Sequence, residues 1–361
     1  MADHVYLLVG THKGGFILEG NPERNDWKIQ GTCFEGTDVQ HLTMDTREGR
    51  NRLYAAVNNP WWGPGVRMSD DMGQTWSEPS APPKFEESLG LTLERVWQIT
   101  PSRDHSPGTI FVGVDPAALF RSDDHGETWS DVRGLTTHPT RGQWAPGAGG
   151  MMVHGILVHP YDARRMQVAI SAAGCFETID AGENWMPRNK GVLADFLPEQ
   201  YPEVGQCVHH LQNHPSRPDL LYQSNHCGVY RSNVGGEQWT DLSEGLPSRF
   251  GFACVVHPLE NDTVYVVPMV GPELRAPVDA QLAVYRNRER EGWERLTTGL
   301  PQDHAYPTVY RQAMVADQLD PTGLYLGTSN GQIYSSVDAG DSWQSVMTDL
   351  PSVYSIEAVA L

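Results

Sequence analysis

The chain has 361 residues, with 36 Gly and 26 Pro, and no apolar run approaches the length of a membrane-spanning helix. Its formal net charge of -19 is spread along the chain, so the overall field repels polyanions and argues against nucleic acid or an anionic membrane surface as partner. The five cysteines (Cys33, Cys175, Cys207, Cys227, Cys254) include no C-x-x-C pair, and Met1-Ala2-Asp3-His4 lacks a basic export segment. Reduced thiols in a cytoplasmic protein are therefore expected.

Val5-Tyr6-Leu7-Leu8-Val9 opens the chain as a strand, followed by Gly15-Phe16-Ile17-Leu18 and Trp27. One period later a pattern S-x-D-x-G-x-x-W begins to recur. It comprises Ser69, Asp71, Gly73 and Trp76, then Ser122, Asp124, Gly126 and Trp129, and last Ser336, Asp338, Gly340 and Trp343. Thr178, Asp180, Gly182 and Trp185 carry it with Thr for Ser, and Ser232, Gly236 and Trp239 keep the frame with Val234 in place of Asp. The physics is that of a self-satisfied hairpin turn. Hydroxyl and carboxylate bond nearby backbone N–H groups, Gly takes positive φ, and Trp opens the next strand with a large apolar surface. The tryptophans recur every 50 to 56 residues or so, with Trp27 and Trp293 filling the register, which gives seven units.

Each unit reads as four short strands. His154-Gly155-Ile156-Leu157-Val158 is a first strand, His159-Pro160-Tyr161-Asp162 a turn, and Met166-Gln167-Val168-Ala169-Ile170 a second strand. A Gly-rich loop, a third strand, the S-x-D-x-G turn and a fourth strand follow. The first unit lacks one strand, and Ser352 to Val359 is a strand without a unit. The expectation is an all-β, single-domain protein over 1–361. It is a seven-bladed β-propeller of four-stranded antiparallel blades, with the C-terminal strand closing the first blade and removing exposed edges.

The repeated turn resembles the Asp-box, or BNR, repeat of sialidases, sortilin-type receptors, xyloglucan hydrolases and the photosystem II stability/assembly factor family. That resemblance implies the propeller fold and leaves function open, because those families do unrelated jobs. Sialidases are six-bladed and need an Arg triad, a Tyr nucleophile with its Glu and an acid Asp. This chain reads as seven blades, and Tyr310-Arg311 or Tyr354 with Glu357 match by residue type alone.

Blade topology puts the S-x-D-x-G turns on a lower face. The long loops 58–65, 78–93, 134–150, 189–205 and 268–281 then fall on the upper face, where function is expected. Four tryptophans outside the repeat, Trp61, Trp62, Trp97 and Trp144, map to one upper sector. They serve either as stacking platforms or partner anchors, or as packing for long loops. Aligning inner strands on Thr100-Pro101, His159-Pro160, His214-Pro215 and His257-Pro258 sets His159, His214 and His257 aside as turn residues. It places Arg95, His154, His209 and Phe252 at the channel mouth, with Gln40, His41, Gln206, His210, Arg249, Arg311 and Gln312 around them.

Three readings stand for this ring. It is a solvated channel wall. Alternatively it is an anion site, with Arg95, Arg249 and Arg311 forking onto a carboxylate. The third reading is a divalent-metal site on His41, His154, His209 and either Gln206 or His210. The leading expectation is a ligand site for a small molecule or glycan bearing a carboxylate, with no required cofactor. If the protein is an enzyme, a glycoside hydrolase or lyase with His154 or His209 as acid/base is expected. The alternative is a protein-assembly scaffold with the same tryptophans as anchors.

Overall fold

The computed structural model describes residues 4–361. Seven antiparallel sheets close into a seven-bladed propeller. The C-terminal strand Val353–Ala360 pairs antiparallel with Val5–Thr11 and is the innermost strand of blade one, followed outward by Gly14–Gly20 and Trp27–Cys33. Blade two departs from the four-strand pattern. Its sheet is Asp38–Asp45, Arg52–Asn59 and Gly63–Ser69, and the fourth strand shrinks to one bridge between Met68 and Ser77. Pro79, Pro82 and Pro83 follow that bridge, and proline offers no N–H to continue a ladder. Blades three to seven each have four strands, with Arg95–Pro101, Val153–Val158, Val208–His214, Gly251–Val256 and Met314–Ala316 innermost.

The outer turns carry the bonds that their residues dictate. Ser122 Oγ accepts the Gly126 N–H at 2.8 Å and donates to Asp124 Oδ1 at 2.8 Å, while Asp124 takes the Thr128 N–H and hydroxyl. The same set recurs at Ser69, Thr178 and Ser336. In blade five Gly236 N–H still reaches Ser232 Oγ at 2.9 Å, but Val234 supplies no second acceptor.

A second repeated turn joins the first two strands on the same lower face. Ring Nδ1 of His159, His214 and His257 accepts a backbone N–H two residues on, as the carboxylates of Asp45 and Asp317 do in blades two and seven. These histidines cap turns. In blade three the residue at this level is Ser102, whose N–H pairs with Thr109 as His159 pairs with Arg165. The Thr100-Pro101 alignment is therefore displaced by two residues, and the position equivalent to His154 and His209 is Trp97, not Arg95.

That position is special in the backbone. The inner-strand register slips between Val39 and His41, Val96 and Gln98, Val153 and Gly155, and Val208 and His210. Each slip leaves one extra residue: Gln40, Trp97, His154 or His209. The inner strand of blade six slips between Gly251 and Cys254, around Phe252. A β-bulge re-aims a side chain out of the alternation, so the upper end of the channel is ringed by residues freed from the in-out pattern of the sheet.

Candidate functional site

The ring of bulges does two different things on its two sides. Gln312 Nε2 donates to the His154 carbonyl at 2.8 Å and to Gln98 Oε1 at 3.3 Å, across the axis. His154 is fully buried, and its Nε2–H donates to the Val208 carbonyl at 3.0 Å. Burial and the nearby Arg311 charge hold its pKa well below the usual imidazole range. This layer separates a lower channel cavity of about 280 Å³, lined by His210, Gln212 and Gln318 among others, from the upper face. His210 belongs below: it accepts the Cys254 N–H, and burial lowers it to about 4.

Above the layer, over blades four to six, lies a cavity of about 420 Å³. The connections from blade three to four and from four to five form two walls, through Pro146–Gly149 and Phe196–Leu197, and the loop carrying Arg275 forms a third. Phe250, Phe252, His209, His226, Cys207 and Arg311 form its base. The aromatic rings interlock, with His209 centred 4.7 Å from Phe252 and 5.1 Å from Phe250, and His226 5.4 Å from Phe250. Such a concave, largely apolar enclosure with a few convergent polar groups has the build of a small-molecule site.

Its electrostatics are unusual for so acidic a chain. The guanidinium carbons of Arg311 and Arg275 lie 5.0 Å and 5.7 Å from the Phe252 ring centre. Among the described residues neither arginine has a carboxylate partner, and no lining residue of the cavity is acidic. Arg311 Nε is buried without a hydrogen-bond partner. Burial is the largest influence on Arg311 and lowers its pKa to about 10, with the Arg275 charge acting in the same direction. His209 Nδ1 donates to the Gly251 carbonyl at 2.7 Å, which fixes the proton there and leaves Nε2 as the free lone pair. Burial, then Arg311, holds His209 neutral with a pKa well below the usual range.

The sequence-derived residues divide between this cavity and other places. His209 and Arg311 line it. His41 pairs with Glu357 at 3.2 Å, and Gln206 Nε2 is spent on the Pro202 carbonyl. Arg249 bonds the Cys227 carbonyl and pairs with Asp241. Trp144 is 7% exposed, stacks on His138 at 5.9 Å and donates to Thr140, within a core cluster that includes Phe176. Trp97 is buried, and its Nε1 has no partner.

Arg95 sits 3.5 Å from Asp38 in a separate upper groove of about 330 Å³ with Glu94, Asn58 and His12. Trp61 and Trp62, 85% and 86% exposed, lie on the loop beside it, their N–H groups held by Asn59 Oδ1. Near this groove burial, then Glu94, pushes the Asp115 carboxyl up to about 6.

Cys207, His226, Phe250 and Arg275 escaped the sequence reading as site residues. The hairpin pairing of Val208 with Asn225 sets Cys207 opposite His226, a register that the spacing of the two apolar runs contains. No comparable signal marks Arg275, which lies in an irregular loop between two strands of blade six.

The class of molecule is thus a closed seven-bladed propeller with an asymmetric upper-face cavity. No protein-family model matches the chain. It is 25% identical over 295 residues to an oligoxyloglucan-reducing end-specific xyloglucanase of Emericella nidulans, covering 72% of this chain and 35% of that protein. It is also 25% identical over 285 residues to a Paenibacillus xyloglucanase, covering 68% of this chain and 26% of the relative. The chain therefore spans about a third or less of the length of these curated relatives. Among solved structures, a GH74 enzyme of Niastella koreensis matches with a TM-score of 0.60 and 15% identity over 95% of this chain and 54% of its own. YCF48 bound to a D1 peptide matches with a TM-score of 0.53 and 13% identity, covering 85% of this chain and 81% of its own. These structural likenesses concern the fold.

Proposed function

We propose that the upper cavity binds a small molecule or glycan unit bearing a carboxylate, with Arg275 and Arg311 forking onto the anion. His209 Nε2 and His226 would meet its neighbouring polar groups, and Phe250 and Phe252 its apolar face. The observation that carries this reading is the pair of guanidinium groups without carboxylate partners, Arg311 at the base and Arg275 on a wall, in a cavity with no acidic lining residue. A buried cation without a partner is costly, and an anionic ligand compensates it. Calorimetric titration with hexuronates and sialic acid, against their neutral parent sugars, tests it. The acids should bind, and Arg311→Met should weaken them roughly tenfold to a hundredfold, the range for a charge-assisted bond. Equal affinity for acid and neutral sugar would refute it.

A second reading draws on the similarity to xyloglucanases and on the blade-two groove. There two exposed tryptophans border Asp38, Glu94 and Arg95, close to an Asp115 carboxyl held at about 6. Aromatic platforms beside an elevated carboxyl suit glycoside hydrolysis, with Asp115 as acid and Glu94 or Asp38 as its opposite. Release of reducing ends from xyloglucan oligosaccharides, abolished in Asp115→Asn, is the expected result. Turnover unchanged in that variant would remove Asp115 from the reading. On the scaffold reading, Trp61 and Trp62 would instead anchor a protein partner.

A further inference from the structure

One corner of the cavity holds more than the anion site needs. Cys207 Sγ and ring nitrogens of His209 and His226 all lie within 4.8 Å of one another. Cys207 ends the connection into blade five, His209 is the bulge residue two positions on, and His226 sits at the tip of the next hairpin in the same blade. The hairpin locks this approach: the His226 N–H donates to the Cys207 carbonyl at 3.0 Å.

We propose that Cys207, His209 and His226 bind one divalent transition-metal ion of the zinc type, with its fourth position open to the cavity. The proposal does not depend on the anion reading.

Three observations support it. One thiol and two imidazoles form a donor set that suits zinc or cobalt and does not suit magnesium or calcium. The His209 Nδ1–H bond to the Gly251 carbonyl is the outer contact that orients a metal-ligating imidazole and presents Nε2. Three protein ligands facing a cavity leave the vacant position of an open site. Bonds of roughly 2.0–2.3 Å would space the ligands roughly 3.5 Å apart, so closure needs movements of about 1 Å. Cys207 is also set apart from its fellow thiols. The other four cysteines are buried, and burial pushes Cys33, Cys227 and Cys254 up to about 12. Cys207 alone opens on the cavity. The adjacent Arg311 opposes a cation, and the cobalt titration below measures whether the three donors outweigh it.

The test is cobalt titration of metal-free full-length protein, followed by absorption. The expected result is one equivalent bound, with a thiolate-to-cobalt charge-transfer band and the intense visible bands of tetrahedral cobalt. Cys207→Ser should remove the charge-transfer band, and His226→Gln should weaken binding roughly a hundredfold or more, while Cys227→Ser leaves the spectrum unchanged. Circular dichroism of each variant establishes that it is folded. Less than a tenth of an equivalent bound at millimolar cobalt, or a charge-transfer band that survives Cys207→Ser, would overturn the site. So would a Cys207 thiol that reacts with a disulfide reagent at the same rate with and without cobalt. Hexuronate titration of the metal-free protein separates the two proposals, since anion binding that persists there leaves the arginine site standing whatever cobalt does.

Discussion

Arg311→Met should make the unliganded protein more stable while weakening its affinity for anions. Arg311 is enclosed among His209, His154 and Phe252, and its pKa is lowered to about 10 because burial disfavours the charged form. At about 1.36 kcal/mol per unit, that drop corresponds to a cost of about 3 kcal/mol. The side chain is partly exposed to the cavity, where water solvates the guanidinium, so about 1–2 kcal/mol is the realistic residue of that cost. The folded pKa of a base is depressed, so the penalty is fully present at neutral pH and is relieved as pH rises through about 10. Met conserves the apolar stem against Phe252 and removes the charge. Urea unfolding at pH 7 should give a midpoint shift equal to a gain of about 1–2 kcal/mol, with the slope unchanged. Adding a hexuronate should stabilise the parent protein more than the variant at the same concentration. A variant less stable than its parent by more than about 1 kcal/mol would refute the reasoning, because Arg311 would then be a structural residue with its charge already compensated.

Other expectations follow from the same structure. Ser122→Ala removes the acceptor for the buried Gly126 N–H and should cost about 1–2 kcal/mol in urea unfolding. Val234→Asp supplies the carboxylate that blade five lacks and should stabilise by about 0.5–1 kcal/mol, as capping acceptors do. The turn carboxylates Asp71 and Asp180 are held at about 2 by hydrogen bonds from Thr75 and Asn184. Their folded pKa values are depressed, so their contribution is present above about pH 4 and lost as pH falls toward 2. Acid titration of the Asp71→Asn variant should be flatter than the parent's in that window. Trp144→Ala should cost about 3–5 kcal/mol as a buried aromatic deletion. Trp61→Ala with Trp62→Ala should change stability by less than about 0.5 kcal/mol, and any loss of oligosaccharide binding in that pair would then be a contact effect.

The fold was legible because the repeat is local: hydroxyl, carboxylate, Gly and Trp satisfy one another within eight residues, whatever surrounds them. The closing strand was legible by counting, since 352–359 had no unit of its own. The site was legible only in part. The inner-strand comparison put His154 and His209 at the level of the bulges, of which only His209 lines the cavity, but took Thr100-Pro101 for a His-Pro turn, and so put Arg95 where the bulge holds Trp97. The tryptophans drew attention to blades two to four, yet Trp144 is consumed by packing on His138 and Phe176. The cavity lies over blades four to six because loops of irregular backbone meet there. Arg275 and Phe196 reach it through conformations that no residue period encodes.

The most direct test of the anion site is a crystal structure of the protein soaked in a hexuronate. The carboxylate should lie within hydrogen-bond distance of both Arg275 and Arg311, over Phe252, with the sugar ring against Phe250 and His226. A ligand bound instead along Trp61 and Trp62, with the upper cavity holding only water, would contradict the account and move the functional surface to the blade-two groove.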